Sequence, residues 1–269
     1  MNKILFEKRG SIGEIRLNRP DKLNAIDSEM LDGLDSALDS AAADEDIRVL
    51  TLSGEGRAFS AGFDLDMGDA VATESHADRL RRELQRDFDV IMRFWDFPKP
   101  IVAAVHGYCL GSSMEITAVC DITIAAEGTR FGAPEVRYGS GIVCMILPWI
   151  IGLKNARELL LVGSDNIDAH RAESIGLVNR VVAADHFLQE ARTVAEEIAL
   201  NDPLAVRLTK KAINRSVEIA GLRQALAEAL EVDIEIESTE TSESKEFNRI
   251  LESEGLKAAL HWREQRLPK

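Results

Sequence analysis

A chain of 269 residues with 45 % hydrophobic and 29 % charged residues can form a sizeable core. Its net charge of −14 disfavours a polyanion such as DNA or RNA as the main ligand, because phosphate contacts require Lys and Arg. No apolar run is long enough to span a bilayer, and the N-terminal residues lack the pattern of a secretory signal. The three cysteines have no metal-binding spacing, so we expect reduced thiols, a cytoplasmic protein and no metal site.

The N-terminal half alternates strands and helices. Strand-like runs at 4–6 and 12–17 predict a hairpin, and Asp27 is a candidate N-cap for a helix with apolar residues at helical spacing. The other elements predicted here are a strand at 48–52, a helix at 75–94, a strand at 101–105, a helix at 112–119 and a strand at 122–126.

The C-terminal half changes character near residue 200. Pro134 is predicted to open a short helix, and the almost wholly apolar residues 142–151 are predicted to form a buried helix. Further helices are predicted at 156–161 and 169–174, a strand at 178–182, and then helices alone at 187–199, 204–217, 222–236 and 245–251. This order indicates an α/β core, residues 1–200, followed by a C-terminal helical region, residues 201–269. We interpret the acidic run at 231–240 as a solvent-exposed helix face.

The stretch around which the chain is organised is a strand that turns through glycines into a helix. The strand at 101–105 is followed by Gly107 and Gly111, and the helix begins at Ser112. The first turn of a helix carries unpaired N–H groups and the positive end of the helix dipole, so this corner stabilises negative charge. Glu115 lies in that turn. A second interpretation stays open, because Ser112 and Glu115 also match the capping box S-x-x-E.

Four separated motifs resemble those of the crotonase superfamily, the enoyl-CoA hydratase/isomerase proteins. In chain order they are Asn18-Arg19-Pro20 with Leu23-Asn24-Ala25, Phe59-Ser60-Ala61-Gly62-Phe63-Asp64-Leu65, His106-Gly107-Tyr108-Cys109-Leu110-Gly111-Ser112-Ser113-Met114-Glu115 with Cys120-Asp121, and Phe131-Gly132-Ala133-Pro134-Glu135. Each motif is weak alone, but the resemblance extends over essentially the whole chain. It implies an α/β fold, a crotonase-like spiral of β-β-α units, with a C-terminal helical oligomerisation region that forms homotrimers or pairs of trimers.

The resemblance also implies the chemistry. Coenzyme A would be part of an acyl-CoA substrate, and no separate cofactor is expected. The thioester carbonyl would bind the backbone N–H groups of Phe63 and Ser112, an oxyanion hole placed where enolate charge develops. Glu115 would activate the water that attacks the β-carbon, and Glu135 would deliver a proton to the α-carbon. Because both carboxylates are retained, the resemblance favours an enoyl-CoA hydratase.

The resemblance further assigns contacts with coenzyme A and substrate. These residues are Lys22, Ala25, Ala61, Asp64, Leu65 and Gly111. The chain departs from the family at three places: Asp66 replaces a lysine of several relatives, Ser112 and Ser113 replace glycines, and residues 139–149 are shorter and more apolar than usual. Since residues 139–149 are expected to shape the acyl pocket, the identity of the acyl group stays open.

Two other functions remain alternatives. Within the family, a double-bond isomerase often needs only the carboxylate at the position of Glu135. From a different class, the chain could be a non-catalytic acyl-CoA-binding or RNA-binding member, although the net charge argues against RNA. The expected partners are therefore an acyl-CoA thioester and further copies of this chain, with no nucleic acid and no membrane.

Overall fold

The computed structural model describes residues 2–64 and 75–266. The strands are β1 (Ile4–Arg9), β2 (Ile12–Leu17), β3 (Val49–Gly54), β4 (Ile101–Val105), β5 (Tyr108–Leu110), β6 (Ile122–Ala126), β7 (Arg130–Gly132), β8 (Ile167–Asp168) and β9 (Arg180–Val182). The helices are α1 (Ser28–Ala43), α2 (His76–Asp96), α3 (Ser112–Val119), α4 (Glu135–Tyr138), α5 (Leu147–Ile150), α6 (Gly152–Val162), α7 (Ala169–Ser174), α8 (Phe187–Ala199), α9 (Pro203–Ile219), α10 (Leu222–Ser238), α11 (Ser242–Glu254) and α12 (Leu256–Glu264).

A six-stranded sheet with the order β1-β2-β3-β4-β6-β9 forms the centre of the fold. The predicted hairpin of β1 and β2 is confirmed, and the other neighbours pair in parallel. Parallel strands require cover on both faces, and every residue of β4 is buried. Val102 and Ala104 of β4 pack with α8 on one face, while Ile101 and Ala103 join the main core on the other.

A second sheet of three short strands sets the position of α3 relative to α4. β5 pairs in parallel with β7, and β7 pairs antiparallel with β8. The register puts Leu110, the last residue of β5, beside Gly132, the last residue of β7. Because α3 follows β5 and α4 follows β7, the two helices begin close together. The sequence does not predict these strands, since two or three residues show no periodicity.

Most of the predicted helices are confirmed, as α1 illustrates. Asp27 caps it by accepting a hydrogen bond from the Met30 N–H at 3.0 Å. Its apolar positions Met30, Leu31, Leu34 and Leu38 are all buried, as their helical spacing predicts.

Two helix predictions are wrong in detail. Residues 142–151 are largely buried, but only α5 within them is an α-helix; residues 142–146 form an irregular turn. Apolar composition predicts burial correctly, but it cannot distinguish a helix from a packed turn. Pro134 is the N-cap of α4 rather than its first residue, because the helix begins at Glu135. Phe131 and Gly132, which precede it, belong to β7.

The C-terminal helices pack back onto the core. α10 lies against α2, and α12 contacts α4. α11 and α12 form a hairpin around the buried residues Phe247, Ile250 and Ala259. α9 begins at Pro203 with Asp202 as its N-cap, and the division at residue 200 stays a prediction. No described helix has the length and apolar character needed to cross a membrane.

Candidate active site

Two backbone segments meet where the sequence predicts an oxyanion hole. Gly62 has a φ of +94°, and a Cβ placed on it would lie 2.8 Å from the Leu110 carbonyl oxygen and 3.5 Å from the Ser112 nitrogen. The segment that carries Phe63 therefore contacts the start of α3. Within the described residues, neither the Phe63 nor the Ser112 N–H has a hydrogen-bond acceptor, so both amides are available to a ligand.

The predicted coenzyme A loops are joined to each other by backbone hydrogen bonds. The Ala61 N–H donates to the Leu23 carbonyl at 3.0 Å, and the Asp64 N–H donates to the Ile26 carbonyl at 2.9 Å. These bonds bring Ala25 close to Ala61, and Lys22 lies exposed at the end of the first loop.

The predicted coenzyme A contact Asp64 also has a partner within the chain. Its carboxylate forms an ion pair with Arg19 and thereby helps to hold the two loops together. Leu65 and Asp66 lie outside the described residues.

Asn24 holds these loops in place, and we expect its replacement to destabilise the fold. It is fully buried at a φ of +54°, and its Nδ2 donates to the carbonyls of Glu55, Ala58 and Phe59 at 2.8, 2.9 and 3.1 Å. Asn24→Ala leaves these acceptors unpaired in a left-handed backbone that alanine disfavours, so the free energy of unfolding is expected to fall by about 2–4 kcal/mol in a urea titration. Asn201→Ala removes one exposed amide and should change it by less than about 0.5 kcal/mol; equal losses would contradict the assignment.

Glu115 is buried on α3, with 2 % of its surface exposed. Its Oε2 accepts a hydrogen bond from the Cys144 N–H at 2.9 Å. The N-cap of α3 is Gly111, and the helix has no side-chain cap. The capping-box interpretation is therefore wrong, because Glu115 turns away from its own helix start toward residues 142–146.

Glu135 reaches the same region from the start of α4. The Gly111 N–H donates to the Gly132 carbonyl at 2.8 Å, which ties the end of β7 to the start of α3. A Cβ on Gly111 would lie 2.6 Å from the Glu135 Oε1, so this oxygen packs directly against Gly111. The Glu135 Oε2 is buried, and no described residue forms a hydrogen bond with it. Gly111 is therefore needed for close approach of this carboxyl group to the α3 N-terminus.

The pKa values of both glutamates are raised. Burial raises the pKa of Glu115 well above its usual value, and the nearby charge of Glu135 raises it further. Burial also raises the pKa of Glu135, to about 7. Two carboxyl groups in this setting hold a proton between them near neutral pH, so an acid and a base are available in one place.

A third buried carboxyl group, Asp233 on α10, joins this region from the distant end of the chain. It lies within the acidic run at 231–240, and its 2 % exposure corrects the prediction that this run is wholly solvent-exposed. Neither of its oxygens has a hydrogen-bond partner in the described part of the chain. Sequence reasoning missed it because charged residues flank it; the apolar residues Leu226, Leu230 and Ile234, at helical spacing on the same helix face, are the available signal.

The similarity of this chain to known proteins extends over nearly its whole length. The family profile described as enoyl-CoA hydratase/isomerase matches residues 7–265. The chain belongs to the enoyl-CoA hydratase/isomerase family. The match confirms the predicted family, and it extends over both the core and the C-terminal helices.

Individual members of the enoyl-CoA hydratase/isomerase family agree with this assignment. A crystal structure of an enoyl-CoA hydratase/isomerase from Xanthobacter autotrophicus superposes with a TM-score of 0.93, at 45 % identity, over 99 % of both chains. The short-chain-enoyl-CoA hydratase of Clostridium acetobutylicum is 34 % identical over 81 % of this chain and 83 % of its own. The 2,3-dehydroadipyl-CoA hydratase of Escherichia coli is 31 % identical over 89 % of this chain and 92 % of its own. The α/β fold with two sheets and C-terminal helices matches the crotonase structures and confirms the predicted fold class.

Proposed function

We propose that this member of the enoyl-CoA hydratase/isomerase family is an enoyl-CoA hydratase. The observation that carries the proposal is a pair of carboxyl groups, the buried Glu115 and the half-buried Glu135 with its hidden Oε2, beside the unpaired amides of α3 and of the Gly62 loop. Hydration needs this combination, because water must lose a proton to one group while the substrate gains one from another. The family also supplies the expected substrate class, acyl-CoA thioesters.

The mechanism follows from these positions. The thioester carbonyl accepts hydrogen bonds from the N–H groups of Phe63 and Ser112, which stabilise the negative charge of the enolate. One water lies between Glu115 and Glu135. Its oxygen bonds to the β-carbon while Glu115 takes its proton, and the π electrons of the double bond pass toward the thioester oxygen. The enolate then takes a proton from Glu135 at the α-carbon, on the same face, so that addition is syn.

The assignment of acid and base rests on hydrogen bonding. The N–H of Cys144 donates to Glu115, which favours the ionised form that a base requires. Among the described residues, Glu135 accepts a backbone hydrogen bond only from its own N–H, and its Oε2 has no donor, which suits the protonated form of an acid. Burial raises the pKa of Glu115 as well, so the proton of the pair is shared through the bound water rather than fixed on one residue.

Coenzyme A is expected to extend from the oxyanion hole along the two joined loops. We assign its contacts to Lys22, Ala25, Ala61, Asp64, Leu65 and Gly111. Alanine and glycine allow the ligand to approach the backbone closely, and the exposed Lys22 can approach a phosphate of coenzyme A.

The decisive experiment is a direct assay with crotonyl-CoA. Loss of the conjugated enoyl-thioester absorbance, with 3-hydroxybutyryl-CoA as product, would support hydration. Migration of the double bond in a 3-enoyl-CoA without water addition would favour an isomerase instead. Tight acyl-CoA binding without turnover of any substrate in a chain-length panel would favour a non-catalytic binding protein.

The pH dependence of hydration should report the raised pKa values. The active pair holds one proton, and the pKa of Glu135 is about 7 rather than its usual value near 4.5. We therefore expect both limbs of the kcat/KM profile to lie above the usual range of a glutamate, since the first proton lost from the pair activates it, the second inactivates it, and both apparent pKa values are raised by burial. A pH profile from about 5 to 10 tests this. An acidic limb near pH 4.5 would contradict the proposed effect of burial.

Assembly into a homotrimer or a pair of trimers is part of the proposal. α9 presents the exposed apolar residues Leu204, Leu208, Ile213 and Ile219, a surface suited to contact with another copy of the chain. We also propose a reducing, cytoplasmic setting, since Cys109, Cys120 and Cys144 are free thiols. Light scattering at several protein concentrations would measure the stoichiometry.

A further inference from the structure

The buried carboxyl group of Asp233 has no hydrogen-bond partner among the residues that the structure describes. No donor among the described residues reaches either of its oxygens, and only 2 % of the residue's surface is exposed to solvent. An unpaired buried carboxyl group is destabilising, so its presence at this position needs a physical reason. The neighbours of Asp233, and its position relative to the proposed reacting atoms, indicate what that reason is.

The neighbours of Asp233 are acidic. Burial raises the pKa of Asp233 to about 7, with a further contribution from the charge of Glu237 on the same helix. The charge of Asp233 in turn adds to the effect of burial on the pKa values of Glu115, Glu135 and Asp87. An ion pair with any residue of the described ranges 2–64 and 75–266 therefore does not explain its burial. A metal ion does not explain it either, because no group of three or more potential ligands in the described part of the chain could hold one.

Asp233 lies at the carboxylate end of the site. A Cβ on Gly141 would lie 2.0 Å from its Oδ1, so the oxygen packs against the turn at 139–146 at a point where only glycine leaves room. The same turn supplies the Cys144 N–H that binds Glu115. The coenzyme A loops, by contrast, form their described hydrogen bonds with each other and with β5. A substrate with its thioester carbonyl at the oxyanion hole directs its acyl chain past the two glutamates, toward Asp233.

We propose that Asp233 is a specificity-determining residue, which accepts a hydrogen bond from a donor group, a hydroxyl or an ammonium, on the acyl chain of the CoA thioester. This inference rests on the proposed orientation of the substrate in an acyl-CoA site. Such a group satisfies oxygens for which the described part of the chain offers no donor, and an ammonium also complements the charge of the acidic neighbours. A plain hydrocarbon chain leaves both oxygens unpaired, and a terminal carboxylate is repelled.

Binding of saturated acyl-CoA esters tests the inference without any chemical step. The ligands are terminal hydroxyacyl-CoA esters and, as shape controls, acyl-CoA esters with a methyl group in place of the hydroxyl, in several chain lengths. Calorimetry should show that the best hydroxyacyl ester binds about 10-fold to 100-fold more tightly than its methyl counterpart, because the methyl ester leaves the buried carboxyl group without a hydrogen-bond partner. Terminal ammonium esters separate the two donor types, and a terminal carboxylate ester should bind more weakly than either.

Matched variants connect the preference with Asp233 itself. Leucine has the branching of aspartate with methyl groups in place of oxygens, so Asp233→Leu should reverse the preference, and Asp233→Asn should reduce it. Glu235→Gln removes an exposed charge from the same helix and should leave the preference unchanged. If Asp233→Leu does not fold, Asp233→Asn alone still decides the question.

Each outcome has a definite meaning. Equal or weaker binding of every hydroxyl and ammonium ester by the natural protein would overturn the inference, as would a preference that both Asp233 variants retain. If no enoyl-CoA is hydrated but the binding preference depends on Asp233, the proposed hydration fails while the specificity assignment stands. If crotonyl-CoA is hydrated and the binding preference is absent, the proposed hydration stands and the specificity assignment fails.

Discussion

Replacement of Glu115 or Glu135 by glutamine is expected to reduce the rate of crotonyl-CoA hydration by about 10²- to 10⁴-fold, the range typical for loss of a general acid or base. Glutamine keeps the shape of the side chain, but it can neither take a proton from water nor give one to the α-carbon. Because each carboxyl group acts in a different half of the proton transfer, either variant alone should produce the loss. Steady-state kcat and KM, with calorimetric binding of a saturated acyl-CoA, measure chemistry and binding separately.

A matched control for the glutamine variants is Asp87→Asn. Asp87 on α2 also has a pKa raised to about 7 by burial, but it lies outside the proposed reacting pair. This variant should change kcat by less than about 10-fold, since it removes a neighbouring charge and no reacting group. Near-normal turnover of either glutamine variant would contradict the assignment of that residue. A large loss in all three variants would point to a general loss of structure, which circular dichroism would detect.

Gly62→Ala is expected to weaken the oxyanion hole and lower kcat by about 10²- to 10³-fold, the cost of losing one donor. A Cβ at this position would lie 2.8 Å from the Leu110 carbonyl oxygen, a contact that forces the two segments apart. Phe63 follows directly in the chain, so its N–H moves away from the Ser112 N–H. The left-handed φ of +94° adds a conformational cost to the folded state.

Gly128→Ala separates these two effects of Gly62→Ala. Gly128 has a similar φ of +83°, but a Cβ on it would meet no heavy atom within 4 Å. Both variants should lose stability through backbone strain, but only Gly62→Ala should lose activity. Normal kcat for Gly62→Ala, at a temperature where it is fully folded, would contradict the proposed role of this segment.

The sequence by itself determined the family, the main elements and the residues proposed for chemistry. Glycines at 62, 107 and 111 and the apolar strand at 101–105 are local signals, readable because each acts through backbone geometry or short-range periodicity. The helix at 112–119 and the position of Glu115 within it follow from the same signals. The resemblance assigned a role to Glu135, although no spacing between residues 115 and 135 shows that the two carboxyl groups approach each other.

Only the tertiary structure decided how these parts meet. The sheet of β5, β7 and β8 brings the starts of α3 and α4 together through pairings too short to leave a sequence pattern. The Cys144 N–H, rather than a capping serine, binds Glu115, because an irregular buried turn packs against α3. Asp233 looks like part of a solvated acidic run until α10 folds onto α2 and buries it. Long-range packing determines such contacts, and a sequence read one segment at a time carries no local signal for them.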